Sequence, residues 1–427
     1  MPFPMENVRI TDLTWLLAGA GGPRMVAAFG AEDIRIEWRG RLDWLRTGNP
    51  SIPVGEEKDR VLAGETIAVP KTESINRGGT FAENNPGKRG ISLNLKEPKG
   101  KELFKELVRI SDVVVECFTA TTMERLGLGY DDLRKVNPNI IYIQQPGFGK
   151  TGEYVNYVST GPVAQAISGL TEQSGLPDPY PPAGWGYSYM DWSGAYYCAM
   201  AICTALYYRA RTGEGQYMDC SQAEPAIYMT GTAILDYMAN GRHYQRTGNR
   251  SPYVPSAPHG AYRCQGRDRW IAISVYNDDE WQAMTGVLRD PAWTKDERFA
   301  KLSSRILHQD TLDPLVESAT KDWDAYDLME KLQTSGVAAG VCQNANDRMF
   351  KDPQNKHRGF QVDLPNDEVG VWPYKDFPVK FSESPVRVGG TLQRGSPLYG
   401  QDNDYVYGDL IGITDSDRQS LADKNVI

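Results

Sequence analysis

Residues 8–37 read VRITDLTWLLAGAGGPRMVAAFGAEDIRIE, and this stretch decides the fold. Val8 to Leu13 is a short strand candidate. Ala18-Gly-Ala-Gly-Gly22 reads as a small-residue turn. Pro23 to Phe29 then reads as a helix with proline in its first turn. Ala31 to Glu37 alternates like a second strand. Strand, turn, helix and strand in that order open a doubly wound α/β domain.

The pattern continues outward. Residues 41–85 are polar and rich in Gly and Pro, a long excursion of weak periodicity. Ile91 to Leu95 is a strand, and Pro98 to Ile110 spaces its apolar residues by three and four as an amphipathic helix does. Asp112 to Glu116 and Ile140 to Gln144 read as strands, with a short helix over Asp131 to Val136. Val163 to Leu170, Ala195 to Tyr208 and Ala223 to Met238 read as helices, and Gln216 to Cys220 as the last strand of this half. Composition shifts to Arg, Asn, Ser and Pro around Gly241 to Gly260. A domain boundary is therefore expected near residue 241, followed by the strand Trp270 to Ser274 and two or three helices, with a final segment starting at Ala339. Val362 to Ile427 is expected to be mostly loop and short strand.

The chain has 427 residues, enough for about two or three domains at ~150 residues each. Its net charge of -9 comes from 46 basic and 55 acidic side chains with no block of one sign, which argues against nucleic acid as a partner. Six scattered cysteines without a C-x-x-C pair suit reduced thiols in the cytosol. No metal-ligand spacing is present, and the four histidines all lie beyond residue 240. No apolar stretch reaches the ~20 residues that span a bilayer. A soluble, cytoplasmic protein with no membrane partner is expected.

Asp191 is the residue with the most to say about chemistry. It lies in Gly186-Tyr-Ser-Tyr-Met-Asp-Trp-Ser-Gly194, ahead of an apolar run. An acid there suits a helix N-cap. It equally suits a reactive carboxylate desolvated by the aromatic residues Trp185, Tyr187, Tyr189, Trp192 and Tyr196. Lys88, Arg89, Lys96 and Arg125 are candidates for phosphate contacts at the carboxyl ends of the strands, or solvated charges. Phe118 could stack on a purine or simply pack. The glycine spacing of residues 18–22 does not match a dinucleotide fingerprint.

Taken together, the chain resembles the class III CoA-transferases, the formyl-CoA and carnitine CoA-transferase family. The resemblance is carried by Gly30 to Glu37, Asn84-Asn-Pro-Gly-Lys-Arg-Gly-Ile-Ser-Leu-Asn-Leu-Lys96, Asp112 to Phe118 with Arg125-Leu-Gly-Leu-Gly-Tyr130, Gly147-Phe-Gly-Lys-Thr-Gly152, Val163 to Gly169 and Arg211-Thr-Gly-Glu-Gly-Gln216. Each piece is weak, but their order and spacing together are specific. The resemblance implies an interlocked-ring dimer of α/β chains, each with a large Rossmann-like domain over 1–240, a smaller α/β domain over 241–340 and a C-terminal return to the large domain over 341–427. It also implies that Asp191 is the nucleophile. By position, CoA contacts fall on Leu17, Ala18, Leu93, Asn94, Leu95, Lys96, Cys117, Phe118, Thr119 and Arg125. Trp38 stands where the family is often basic, so Arg39 is expected to take that role.

The implied reaction is covalent catalysis through an aspartyl anhydride and an aspartyl-CoA thioester, with CoA and acyl-CoA as substrates and no resident cofactor. Backbone N–H groups near Asp191 and Gly260 are candidate oxyanion donors. Leu17 replaces a family glutamine, and the active-site loop of the formyl-CoA branch becomes Ser251-Pro-Tyr-Val-Pro-Ser-Ala-Pro-His-Gly260. These departures point to a larger, less polar acid than oxalate or formate. The aromatic residues near Asp191 favour an aromatic acceptor such as benzylsuccinate, with succinyl-CoA as donor. The expected partner is a second copy or a related CoA-transferase chain. Two other readings stand beside this one: an isomerase like α-methylacyl-CoA racemase, and a non-catalytic subunit. Racemases of this fold need an aspartate in the segment that here reads Thr160-Gly-Pro-Val163.

Overall fold

A computed structural model describes residues 1–47, 50–68, 72–184 and 189–427. The chain forms two compact units. The first comprises Met1–Thr171, Gly184–Gly241 and Asp352–Ile427. The second comprises Glu172–Ala183 and Arg242–Lys351.

The first unit is built on six strands: β1 (Arg9–Leu13), β2 (Glu32–Glu37), β3 (Arg89–Ser92), β4 (Val113–Glu116), β5 (Ile141–Gln144) and β6 (Tyr217–Asp219). They lie in the order β3-β2-β1-β4-β5-β6, every neighbouring pair parallel. Such a sheet is covered on both faces; β4 (VVVE) and β5 (IYIQ) are mainly apolar, whereas β2 (EDIRIE) carries buried charges. The pleat divides them cleanly. Val114 and Tyr142 pack with Leu103, Phe104 and Leu107 of the helix Pro98–Arg109. Val113, Val115, Ile141 and Ile143 face the other way, onto the long helix Tyr189–Thr212.

The glycine-rich segment departs from its sequence reading. Residues 18–22 form no turn; they lie inside one helix, Leu16–Ala28. Each glycine costs about 1 kcal/mol of helix propensity, so local reading favours a break. Packing reverses that preference. A Cβ at Gly21 would lie 2.6 Å from Ala195 Cβ, and one at Gly22 would lie 2.7 Å from Cys198 Sγ. The missing side chains let this helix lie directly against the long helix.

Other elements shift as well. The long helix begins at Tyr189, so Asp191 stands within its first turn rather than ahead of it. The helix expected over Ala223 to Met238 is two helices, Ala223–Met229 and Gly231–Asn240. At the break, Thr230 Oγ1 donates to Ile227 O at 2.8 Å, a local bond that competes with helix continuation. The excursion after residue 41 carries short helices at Trp44–Thr47, Glu56–Leu62 and Gly79–Asn84. The C-terminal segment contains the hairpin β10 (Gln361–Leu364) and β11 (Trp372–Lys375), a helical turn at Asp404–Leu410 and a helix at Asp415–Asp423. It packs on the first sheet, where Tyr407 Oη donates to Ser92 O at 2.6 Å.

The second unit holds an antiparallel sheet of β7 (His259–Arg263), β8 (Trp270–Ser274) and β9 (Ala338–Val341), in the order β7-β8-β9. Its core gathers Ile271, Ile273, Trp281, Phe299, Leu312 and Leu328.

A methyl group at position 22 has no space. Gly22→Ala is expected to destabilise the protein by about 1–3 kcal/mol, read as a lower urea midpoint. Gly286→Ala, in a helix where an added Cβ meets nothing within 4 Å, is expected to leave the midpoint unchanged or raise it.

Candidate active site

The sheet order reverses between β1 and β4, so a crevice opens past their carboxyl ends. A cavity of about 260 Å³ lies there, lined by Trp15, Trp38, Arg41, Asn94, Lys96 and Phe118 among others. Trp15 meets Phe118 edge-on with ring centroids 5.9 Å apart, and the Arg41 guanidinium lies 5.1 Å from the Trp15 ring centroid. Aromatic walls with cations at the rim can hold a purine ring and its phosphates. A wider hollow of about 310 Å³ lies between Ile52, Val61, Ala82 and Trp372. Glu83 in its lining is bridged by Arg24 and Lys375.

Of the expected CoA contacts, the structure gathers Leu93, Asn94, Leu95, Lys96, Phe118 and Arg125 in the cleft. Thr119 is at the rim, where its Oγ1 lies 2.8 Å from that of Thr122, a lining residue that also accepts from Arg125 Nη2 at 3.3 Å. Cys117 turns its sulfur to the Trp15 N–H at 3.0 Å. Burial pushes this thiol up to about 12, so it stays protonated. Leu17 and Ala18 are the second and third residues of the glycine-rich helix. Arg39 is exposed and outside the cavity lining, where Arg41 stands instead. Gly260 lies in β7 of the second unit.

Lys88 and Arg89 are not phosphate ligands at strand ends. Lys88 precedes β3 and is fully buried, with Nζ 2.8 Å from Asp12 and 3.4 Å from Asp33. Arg89 pairs with Glu32 and Asp402. Beside Lys88, Arg35 meets Asp43 at 2.5 Å and Arg46 meets Glu37 at 2.7 Å, all buried. Burial alone would raise Asp12, but Lys88 and Arg35 outweigh it and hold the carboxyl low. Asp33 goes the other way, raised to about 8 by burial and by Asp12 beside it, against the pull of Lys88. Asp43 also accepts the Leu16 N–H at 3.1 Å. Leu16 has φ of 59°, a left-handed conformation that costs a leucine about 1–2 kcal/mol. The buried acid thus holds the turn that carries the chain from β1 past the cleft.

Asp191 faces a confined space. Its Oδ1 accepts from Gln222 Nε2 at 2.6 Å. A Cβ at Gly161 would lie 2.7 Å from both carboxylate oxygens. As an acid in a helix's first turn, Asp191 is also favoured by the helix dipole. The glycine-rich helix joins this carboxylate to the cleft. Trp15, which precedes that helix, lines the cleft, while Ala18 Cβ lies 3.7 Å from the Cβ position of Gly194. Trp185 and Tyr187 lie outside the described residues. Trp192 packs against the sheet-facing core, and Tyr189 and Tyr196 are exposed.

Sequence reading missed Trp15, Arg41 and Gln222. Trp15 and Gln222 could have been found from position, since each follows the carboxyl end of a parallel strand. Arg41 had no such signal, because the turn pairing Trp38 with Arg41 forms only in the fold.

Residues 5–403 match the family described as CoA-transferase family III. The chain belongs to that family. It is 31% identical over 413 residues to the succinate–glutarate CoA-transferase of Agrobacterium fabrum, covering 95% of this chain and 96% of that one. It is likewise 31% identical to the succinyl-CoA–D-citramalate CoA-transferase of Chloroflexus aurantiacus, over 100% of this chain and 98% of that protein. Among solved structures, a CAIB/BAIF family protein from Brucella suis aligns with a TM-score of 0.83 and 29% identity over 96% of this chain and 100% of its own. This class III CoA-transferase therefore keeps its family's parallel α/β sheet.

Glu116, at the carboxyl end of β4, accepts from the Phe118 N–H at 2.6 Å and from Tyr142 Oη at 3.3 Å. Burial raises its carboxyl to about 8 despite those bonds. A folded pKa above the unfolded one favours folding fully below the unfolded pKa, about 4.5, and that contribution is lost as pH rises through about 8. Glu116→Gln, which keeps an acceptor, is expected to gain thermal stability over the parent across that interval and to match it near pH 4.5; melting curves over pH check this. Phe118→Ala is expected to weaken CoA binding by about 1–3 kcal/mol in calorimetry.

Proposed function

We propose that this class III CoA-transferase moves CoA from an acyl-CoA donor to a carboxylic acid through Asp191. The observation that carries the reading is the Asp191 carboxylate itself, set on the helix that packs against the glycine-rich helix, held by Gln222 and left room by Gly161. Asp191 attacks the thioester carbonyl, the C–S bond breaks and CoA thiolate leaves, giving a mixed anhydride. The thiolate then attacks the aspartyl carbon and expels the donor acid, leaving an aspartyl-CoA thioester. The acceptor carboxylate displaces CoA to form a second anhydride, and the thiolate takes the acceptor acyl group from it. Each step is easier than direct exchange. The atoms balance with CoA and the two acids as the only reactants, so the reading includes no resident cofactor.

Gly161 also bears on the isomerase alternative. The segment Thr160–Val163, where racemases of this fold carry an aspartate, has no acid, and a Cβ at Gly161 would collide with the Asp191 carboxylate. The presence of a held carboxylate speaks against a non-catalytic subunit.

For substrates, succinyl-CoA is the proposed donor and a dicarboxylic acid the acceptor, benzylsuccinate being an aromatic member of that class. The named activities of the Agrobacterium and Chloroflexus relatives support a dicarboxylate. The proposed assembly is an interlocked dimer, either of two copies or with a related chain. Tyr207, Tyr228, Leu235 and Met238 on the long helix and the two helices after it are exposed, an apolar surface that a second chain would cover. Among the described residues no helix is long and apolar enough to cross a membrane. The cytoplasm, where CoA thioesters are made and used, is the proposed location.

Incubation with succinyl-CoA followed by hydroxylamine is expected to leave a modified Asp191, seen by mass spectrometry. Asp191→Ala should lose exchange while retaining CoA binding; continued turnover would refute the nucleophile. Gly161→Ala, which displaces the carboxylate, is expected to lower exchange about 10²-fold.

A further inference from the structure

Gln222 touches the carboxylate on which the proposed reaction turns, and its surroundings fix it there. It follows β6, where Cys220 N–H donates to Gln144 O at 2.8 Å. The Gln222 N–H donates to Pro146 O at 3.1 Å, and the Ala223 N–H to Gly147 O at 3.0 Å. The turn after β6 is thereby tied to the turn after β5. The side chain is 7% exposed, and its Cγ lies 3.4 Å from the Cβ position of Gly194. Gln145, from the β5 turn, closes the other side and donates from Nε2 to Gly194 O at 2.9 Å. A carboxylate can only accept, so the group within 2.6 Å of Oδ1 is the amide donor.

We infer that Gln222 is a catalytic residue whose Nε2–H stabilises negative charge on Asp191 Oδ1 in the two steps where the aspartyl carbon is attacked. The inference rests on the reading of Asp191 as nucleophile. In this assignment the new bond to the acyl group forms at Oδ2, which leaves Oδ1, the oxygen bonded to Gln222, as the carbonyl oxygen. The anhydride then presents Asp191 Cγ as an electrophile with Oδ1 as its carbonyl oxygen. When CoA thiolate attacks Cγ, the C–S bond forms, the C–O bond to the donor acid breaks and the donor carboxylate departs. When the acceptor carboxylate attacks the aspartyl thioester, a C–O bond forms at Cγ, the C–S bond breaks and thiolate departs. In both tetrahedral intermediates the charge sits on Oδ1, where a preorganised donor already waits. In the first and last steps the charge develops on the acyl oxygen of the substrate, an atom Gln222 does not hold. Gln222 therefore separates the four steps into two that need it and two that do not.

The test follows single steps. With succinyl-CoA and no acceptor, rapid acid quench and thiol titration measure release of CoA, and mass spectrometry measures its return as aspartyl-CoA. In Gln222→Met, close in shape but without a donor, CoA release is expected at nearly the parent rate, while conversion to aspartyl-CoA and overall turnover fall by about 10²–10³. Gln222→Glu regains a donor only when protonated, so its conversion rate is expected to rise as pH falls, which a merely structural role would not produce. Unchanged turnover in Gln222→Met overturns the inference, as does release slowed as much as conversion. Should the methionine variant fail to fold, a conversion rate independent of pH in Gln222→Glu overturns it instead. The two ideas fail separately. Absence of any Asp191 adduct in the parent protein sinks the nucleophile, whereas a normal adduct with an unimpaired Gln222→Met sinks only the role of Gln222.

Discussion

Two helices that meet where side chains are missing decide where chemistry can happen in this protein. Helix Leu16–Ala28 lies on Tyr189–Thr212 so closely that Gly21 and Gly22 leave no space for a Cβ against Ala195 and Cys198. Ordinary helix pairs keep their axes roughly 8–10 Å apart because side chains intervene. The contact fixes the height of Asp191 relative to the turn after β1, and that turn forms one wall of the cleft. A carboxylate and a nucleotide-sized cleft become parts of one site because one helix borders both.

The wall of the cleft depends on charges that never meet water. Asp12, Asp33, Glu37 and Asp43 are buried with Arg35, Arg46 and Lys88. Burial and the neighbouring Asp12 raise the Asp33 carboxyl to about 8. Clusters of this kind add little net stability, since desolvation offsets their attraction. Their geometry is what the fold uses. Asp43 holds the Leu16 N–H, and Lys88 donates to Ala20 O at 3.0 Å. A leucine stays in the left-handed region beside a cleft because buried partners on several strands over-determine it.

Asp191, the proposed nucleophile, has its position set by its neighbours. Gln222 orients it, Gly161 gives it room, and Gly194 admits the two glutamines beside it. None of these residues has reactivity of its own. Each narrows the positions open to one carboxylate, which is how protein scaffolds raise effective concentration without adding reactive groups.

The alternating and apolar runs from Val8 to Gln144 determined the parallel α/β sheet, because burial on both faces selects β-branched strands and amphipathic crossover helices wherever they occur. The ordered short motifs from Gly30 to Gln216 determined the family. Residues 18–22 were misread because their helix exists only through a partner 173 or more residues away, which no local propensity reports. Lys88 was misread for the same reason: its carboxylates come from two other strands. Arg41 replaced Arg39 at the cleft, and Gln222 joined Asp191, only once strands distant in sequence were aligned at their carboxyl ends. Periodicity encodes which face of an element is buried. What that face meets depends on strand order and helix approach, and those are settled by packing the whole unit.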